Sequence, residues 1–334
     1  MQIRRTDEGA RVLVIYPRVW SEKAASMSRR YRHLLNACDS FEPSADVQSA
    51  CVRAAFEGAP MPDLGEWAER ADRILIGAGP PEAVKFALAI VGSFSDKAII
   101  SWHDPLPEEH AELEAQAAKA ARCHIVPTRP HRDRLLAHGA QSVVAATPLL
   151  DDHEIPLTDR RDSFLIGHLG WVGRHARNLP GLVKGTAAAH TTSRPWQVVQ
   201  YGPLPKGMPL QLLPYRIRGA FRHKRAVSTD RVDRIYSRMR AAAILQMGGF
   251  YGDLCIPGKL IEAILLGCPP LCDRRAAFLA KVCDEAALPS WGDPKEIPDR
   301  LHDLDRATGS TIAQSTGHAI ADCSLSAAVA AEMR

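Results

Sequence analysis

Lys259 and Glu262 are the charged residues in an otherwise apolar stretch running from Gly258 to Leu266. Three positions apart, they share one face of a helix. Just before them lies a loop with Gly248, Gly249 and Gly252, and Tyr251 among them. Glycines take backbone angles that side chains forbid and leave room for a ligand. The N–H groups of a helix's first turn attract phosphate, and a carboxylate one turn further in can accept hydrogen bonds from sugar hydroxyls. The chemistry indicated is the holding of a phosphorylated sugar. An ordinary surface Lys–Glu pair is the other reading of the same residues.

These residues need a strand before them and a stop after them. Ala242–Met247 is short and apolar, Pro257 suits a first helical turn, Gly267 offers a left-handed cap, and Pro269 and Pro270 forbid continuation. The same alternation recurs along the chain. Strands are expected at 11–16, 72–77, 97–102, 124–126, 142–145, 163–169, 196–201 and 215–221. Helices are expected at 27–37, 82–91, 108–121, 131–138, 181–189, 228–240, 273–285, 298–306 and 310–333. Such alternation predicts an α/β protein with parallel sheets covered by helices on both faces. A polar segment, DDHEIPLTDRR, separates two halves. The expected division is 1–150, a linker at 151–162, a second domain at 163–315, and a last helix at 316–334 crossing back to the first domain. His103 follows the strand ending at Trp102. Ligands in open α/β sheets bind at such strand ends, although a histidine there can equally cap a loop or bond a carbonyl. The GAGPP turn at 77–81 lacks the third glycine of a dinucleotide fingerprint.

IPGKLIEAILLGCPPLC, residues 256–272, resembles the donor-binding segment of GT-B glycosyltransferases of the family 4 type, roughly P-S-K-L-x-E-x-x-A-x-G-x-P. GRHARNLPGLV, residues 173–183, resembles that family's G-R-x-x-x-K-N-L segment. The two occur in the family's order, about eighty residues apart. The resemblance implies a GT-B fold, two Rossmann-like domains facing across a cleft, with the nucleotide-sugar held by the C-terminal one. It places the ribose on Glu262, and the sugar and phosphates on the loop with Gly249, Tyr251 and Gly252 and on Lys259. Gly173 and the pair Arg174 and Arg177 fall where the family neutralises the donor diphosphate, Arg177 standing where Lys is usual. Two cations at a strand–helix junction suit a pyrophosphate. Gly202 falls where bulk would strike the donor, Phe221 where the nucleobase is met, and His103 near the reacting sugar. Many members carry a second Glu eight residues before the first; here that position is Leu254, with Tyr251 or Asp253 as substitutes. The loop after the first strand, PRVWSEKAASMS, has no glycine, unlike the family's. The family retains configuration and binds no metal, so no cofactor is expected, with UDP- or GDP-sugars as donors.

Composition bounds the remainder. The chain has 334 residues, a net charge of +4 and eight cysteines, none in a CxxC pair, so structural zinc is not indicated. No apolar run is long enough to span a bilayer, and the first residues do not read as a signal peptide, so a cytoplasmic protein is expected. A small molecule, glycan or lipid is favoured as acceptor. The basic segment RIRGAFRHKR motivates an alternative acceptor, a modified DNA base as in phage-type DNA glycosyltransferases. An alternative of another class is a nucleotide-sugar epimerase, or a GT-B protein that binds without turnover. Arg174→Ala is expected to abolish transfer with the fold intact. Nucleotide release measured beside circular dichroism checks this, and near-normal turnover would defeat the diphosphate role.

Overall fold

Short apolar runs, each followed by a helix that returns the chain, bury best as parallel strands covered on both faces. The computed structural model describes residues 12–15, 40–41, 50–51, 53–54, 57–152, 154–156, 162–173, 178–228, 231–246, 248–304 and 309–332. The chain divides into two compact units, 1–151 with 320–334, and 152–319.

The first unit holds strands β1 (Val12–Ile15), β2 (Ser40–Phe41), β3 (Arg73–Ala78), β4 (Ala98–Trp102), β5 (Cys123–Val126) and β6 (Val143–Thr147). The second holds β7 (Leu165–Leu169), β8 (Gln197–Tyr201), β9 (Phe221–Lys224), β10 (Ala241–Ile244), β11 (Pro270–Asp273) and β12 (Ser290–Trp291). A last strand, β13 (Cys323–Ser324), returns to the first unit, pairing with Ala146 and Thr147 of β6. The sheet orders are β13-β6-β5-β4-β3-β1-β2 and β12-β11-β10-β7-β8-β9, and every recorded pairing is parallel. One cluster in the first core joins Val12, Val14, Leu75, Ile99 and Ile125 to Leu325, Ala328 and Val329 of the closing helix Leu325–Glu332. The second core gathers Ile166, Val198, Ala243 and Leu271 from the strands with Leu179, Leu182 and Trp291. Among the described residues no helix is long and apolar enough to cross a membrane.

Local chemistry sets the boundaries. Thr128 caps the helix Arg129–Ala137 by accepting the His131 N–H, and Asn178 caps Leu179–Ala189 by accepting from Gly181 N–H. The helix Gly258–Leu265 ends in a Schellman motif: Cys268 N–H donates to Ala263 O (2.8 Å) and Gly267 N–H to Ile264 O (2.9 Å), with Gly267 at φ 64°. A Cβ on Gly267 would also stand 1.9 Å from the Pro156 carbonyl.

Several expectations are corrected. The stretch 215–221 is not a strand: Leu213–Ile217 is helical, Gly219 (φ 78°) ends the turn, and the strand starts at Phe221. Pro214 in the first turn favours the helix there. The helix expected over 310–333 is split into Ser310–Ile320 and Leu325–Glu332, because Asp322 N–H donates to Ala145 O and Cys323–Ser324 pair with the open edge of β6. Asp273 ends β11, and the next helix starts at Ala277. The loop expected between Gly248 and Pro257 contains a short helix, Phe250–Leu254. The helix expected at 27–37 lies outside the described residues.

The first unit buries a fixed imidazole. Trp102 Nε1–H donates to His124 Nδ1 at 3.0 Å, so the other ring nitrogen must carry the proton that bonds Ala118 O, also at 3.0 Å. Burial pushes the His124 pKa down from 6.5 to about 4. The folded state therefore holds the neutral ring. Its stabilisation is complete above the unfolded pKa and is lost as pH falls from 6.5 toward 4, on the order of 3 kcal/mol over that window. Urea midpoints measured across this range should fall with acidity, and His124→Gln should flatten that dependence.

Candidate functional site

In the second unit the chain enters the middle of its sheet at β7, builds outward through β8 and β9, then crosses to the other side of β7 to lay down β10, β11 and β12. The order reverses between β7 and β10, and ligands bind outside the carboxyl ends of strands at such a point. The residues leaving those ends are Gly170 after β7, Gly202 after β8, and Leu245, Gln246, Gly248 and Gly249 after β10.

Backbone closeness shapes this edge. Gly170 N–H donates to Tyr201 O (2.7 Å) and Gly202 N–H to Lys224 O (3.1 Å). Gln200 Nε2 donates to Gly170 O at 2.7 Å. The carbonyl end of Gln200 accepts from His168 Nδ1–H at 2.6 Å, which fixes that tautomer. His223 Nε2–H holds Gly202 O at 2.8 Å. Gly202 has φ 118°, and a Cβ on it would lie 2.7 Å from Gly170 O. Gly170 has φ 108°, and a Cβ on it would lie 3.0 Å from Lys259 Cε and 3.1 Å from its Nζ. The Lys259 ammonium thus packs on the glycine that ends the first strand of the unit.

Lys259 is half-buried in the first turn of Gly258–Leu265, and no side chain caps that turn. Glu262, one turn on, is 4% exposed and accepts from Tyr236 Oη at 3.4 Å. Gly249 has φ 78° and ψ −160°, a region open essentially to glycine alone, and no atom lies within 4 Å of where its Cβ would be. Tyr251 is half-buried, with its ring edge-on to Phe250 at 5.4 Å, and Gly252 is buried. Gly173 is buried in the loop after β7. Arg174 and Arg177 lie outside the described residues.

Phe221 is corrected. It opens β9 instead of following a strand, so it stands at the amino-terminal edge, and its side chain is 2% exposed within the core. It has no face for a nucleobase; Lys224 ends that strand. A cavity of about 540 Å³ lined by Asp162, Phe164, Leu165, Pro195 and Arg238 also belongs to the amino-terminal edge and contains none of the expected residues.

Two residues at the carboxyl edge received no role from the sequence. Trp171, next to Gly170, is 60% exposed; a tryptophan just past a strand and between two glycines was the available signal. Arg275 follows β11, its guanidinium on the buried Asp273 carboxylate at 2.6 Å, and its carbonyl would lie 3.3 Å from a Cβ on Gly248.

His103 belongs to the first unit. It follows β4, its N–H donates to Ala78 O (2.8 Å), and its Nε2 is 3.7 Å from Asp104 Oδ2. The loop it starts is braced by Glu114, fully buried, which accepts from Leu106 N–H (2.9 Å) and Arg134 Nε–H (2.5 Å) and lies 3.6 Å from His131 Nε2. Burial works to raise the Glu114 pKa, but the nearby His131 ring and the hydrogen bonds from Leu106 and Arg134 outweigh it and hold the carboxyl below its usual value. The structure therefore brings together Gly170, Gly202 and Lys259 in one unit and sets His103 at a strand end of the other.

No protein-family profile matches the chain, nor does the sequence of any curated protein. Solved structures do match. Sucrose-phosphate synthase from Thermosynechococcus elongatus is similar over 98% of this chain and 97% of its own, at 13% identity and a TM-score of 0.57. A candidate UDP-N-acetylglucosamine 2-epimerase from Listeria monocytogenes is similar over 96% and 94%, at 14% identity and 0.57. The lipopolysaccharide outer core galactosyltransferase WaaB is similar over 93% and 96%, at 14% identity and 0.52. At such identities the likeness is one of fold, and the fold is GT-B.

Gly202→Ala should displace the Gly170 carbonyl and cost about 2 kcal/mol or more, combining a strained φ with a backbone clash. Thermal unfolding measures the loss. Gly207→Ala, at φ 89° but with nothing within 4 Å of the added carbon, separates the conformational part from the clash.

Proposed function

We infer that the chain is a GT-B glycosyltransferase that moves a sugar from a nucleotide-sugar to an acceptor. The observation that carries this reading is Lys259 packed on Gly170 at the switch point of the second sheet, with Glu262 one turn along the same helix. The ammonium and the first-turn N–H groups would meet the donor diphosphate, joined by Arg174 and Arg177 from the loop after β7. Fixed positive groups aimed at the charge that grows on a leaving diphosphate lower the barrier without reorganising during the reaction. Glu262 would bind the ribose, and the exposed glycines 248 and 249 leave space for the sugar. The donor would be a UDP- or GDP-sugar, with configuration retained and cationic side chains serving where a metal otherwise would. His103 is assigned to the acceptor side.

Incubation with UDP-, GDP- and ADP-sugars, with and without candidate acceptors, tests the reading by nucleotide release. Glu262→Gln keeps the shape of the side chain and removes its charge; it should raise KM for the donor roughly 10- to 100-fold, the size of a hydrogen bond to a charged group. Lys259→Ala should lower kcat as well. A Glu262→Gln variant that loses thermal stability but keeps its KM would reduce Glu262 to a structural partner of Tyr236. A second reading, a nucleotide-sugar epimerase, is favoured by the likeness to the candidate epimerase, whose TM-score equals that of the synthase. It predicts sugar interconversion that needs no acceptor.

A further inference from the structure

Between Ser163 and Thr229 the sequence has ten Lys and Arg residues and no Asp or Glu. Six of those cations fall after Pro205: Lys206, Arg216, Arg218, Arg222, Lys224 and Arg225. A run this one-sided in a chain of net charge +4 builds a positive face for an anionic partner.

The same segment carries an apolar surface that core packing does not use. Met208–Gln211 and Leu213–Ile217 are two helical pieces joined at Leu212. Leu212 N–H donates to Met208 O and Arg216 N–H to Leu212 O, so the helical hydrogen-bond pattern runs through the joint. Met208 and Leu212 are buried and Tyr215 packs on the core. On the far side Leu210 is 75% exposed, Leu213 42% and Ile217 78%. With Pro214, also exposed, these fall within about 100° of the helix circumference. Arg216 and Arg218 flank that stripe on either side. The exposed Arg222 and Lys224 follow on the outermost strand, β9, and the exposed Arg225 comes just after it.

We propose that this face, the stripe Leu210–Leu213–Ile217 with its flanking arginines, rests on an anionic lipid bilayer, the apolar side chains entering the headgroup boundary and the cations meeting lipid phosphates. Charge on an edge strand also blocks unwanted strand pairing, which accounts for Arg222 and Lys224 but not for exposed leucine and isoleucine. A nucleic acid would use the cations and leave the aliphatic stripe wet. An amphipathic helical face combining aliphatic residues with cations suits the lipid surface. The inference is independent of the reaction proposed above.

The test is co-sedimentation of the full chain with phosphatidylcholine vesicles, with and without phosphatidylglycerol. Binding should require phosphatidylglycerol and weaken with salt. Ile217→Ser should reduce partition about ten-fold, and Arg216→Ala and Arg218→Ala roughly five-fold each. All three positions are exposed, and circular dichroism confirms that the variants fold. Failure to bind phosphatidylglycerol vesicles overturns the proposal. So does binding that Leu210→Ser and Ile217→Ser leave unchanged, since the apolar stripe would then have no part. Preference for duplex DNA at equal phosphate concentration overturns it in favour of a nucleic-acid face, and self-association abolished by Ile217→Ser overturns it in favour of a second copy of the chain.

Discussion

The carboxyl edge of the second sheet depends on one close approach. The carbonyl of Gly170 sits where a side chain on Gly202 would have to be, and the Lys259 side chain sits where one on Gly170 would have to be. Both glycines hold backbone angles that L side chains rarely adopt. Strand ends, loop and helix can therefore meet within a few ångströms only because two positions have no side chain. The buried pair His168 and Gln200 then fixes the Gly170 carbonyl through a chain of hydrogen bonds. A cation is held at the mouth of the sheet by close packing on backbone that only glycine allows.

The first unit reaches rigidity at its own strand ends by another route. There Glu114, His131 and Trp102 are fully buried, with Arg134 reaching Glu114 from the rim, beneath the loop that starts at His103. A buried carboxylate is costly unless several donors satisfy it, and Glu114 has backbone, guanidinium and imidazole around it. Geometry made from side chains can be altered by single substitutions. Geometry made from glycines is far less tolerant.

Much of the fold was legible because it rests on period and punctuation. Short apolar runs marked the strands, and Gly267 with two prolines marked the end of Gly258–Leu265, where the structure has a left-handed cap. The misreadings have two causes: tertiary pairing that overrode local preference, and a helix-starting proline whose signal was outweighed by neighbouring strand-like residues. Cys323 and Ser324 sit within a helix-favouring, alanine-rich tail, yet the open edge of β6 draws them into a strand. Tyr215 and Ile217 look like strand residues, yet Pro214 and the core-facing Met208 and Leu212 make the segment helical. Phe221 was assigned to a base because its strand was placed one element too early. Of the candidate site, Lys259, Glu262 and the glycines stand out in the sequence by type and spacing. The contact of Lys259 with Gly170 does not, since it joins residues far apart in the chain. Glu262 proved more enclosed than a sugar-binding carboxylate on an open helix face, because Tyr236 comes from a separate helix to cover it.

The path of the chain has a consequence for how it is made. The first unit is interrupted at 151 and completed only by residues 320–334, whose short strand extends its sheet and whose helix Leu325–Glu332 covers part of its core. A ribosome delivers the whole of the second unit before those residues emerge. The second unit can thus close while the first is still missing a strand and a lid, with the β6 edge and its aliphatic surface open to the surroundings. During synthesis the earlier half is the later one to mature, and the newborn molecule is most prone to stick to others in the interval before residues 320–334 arrive.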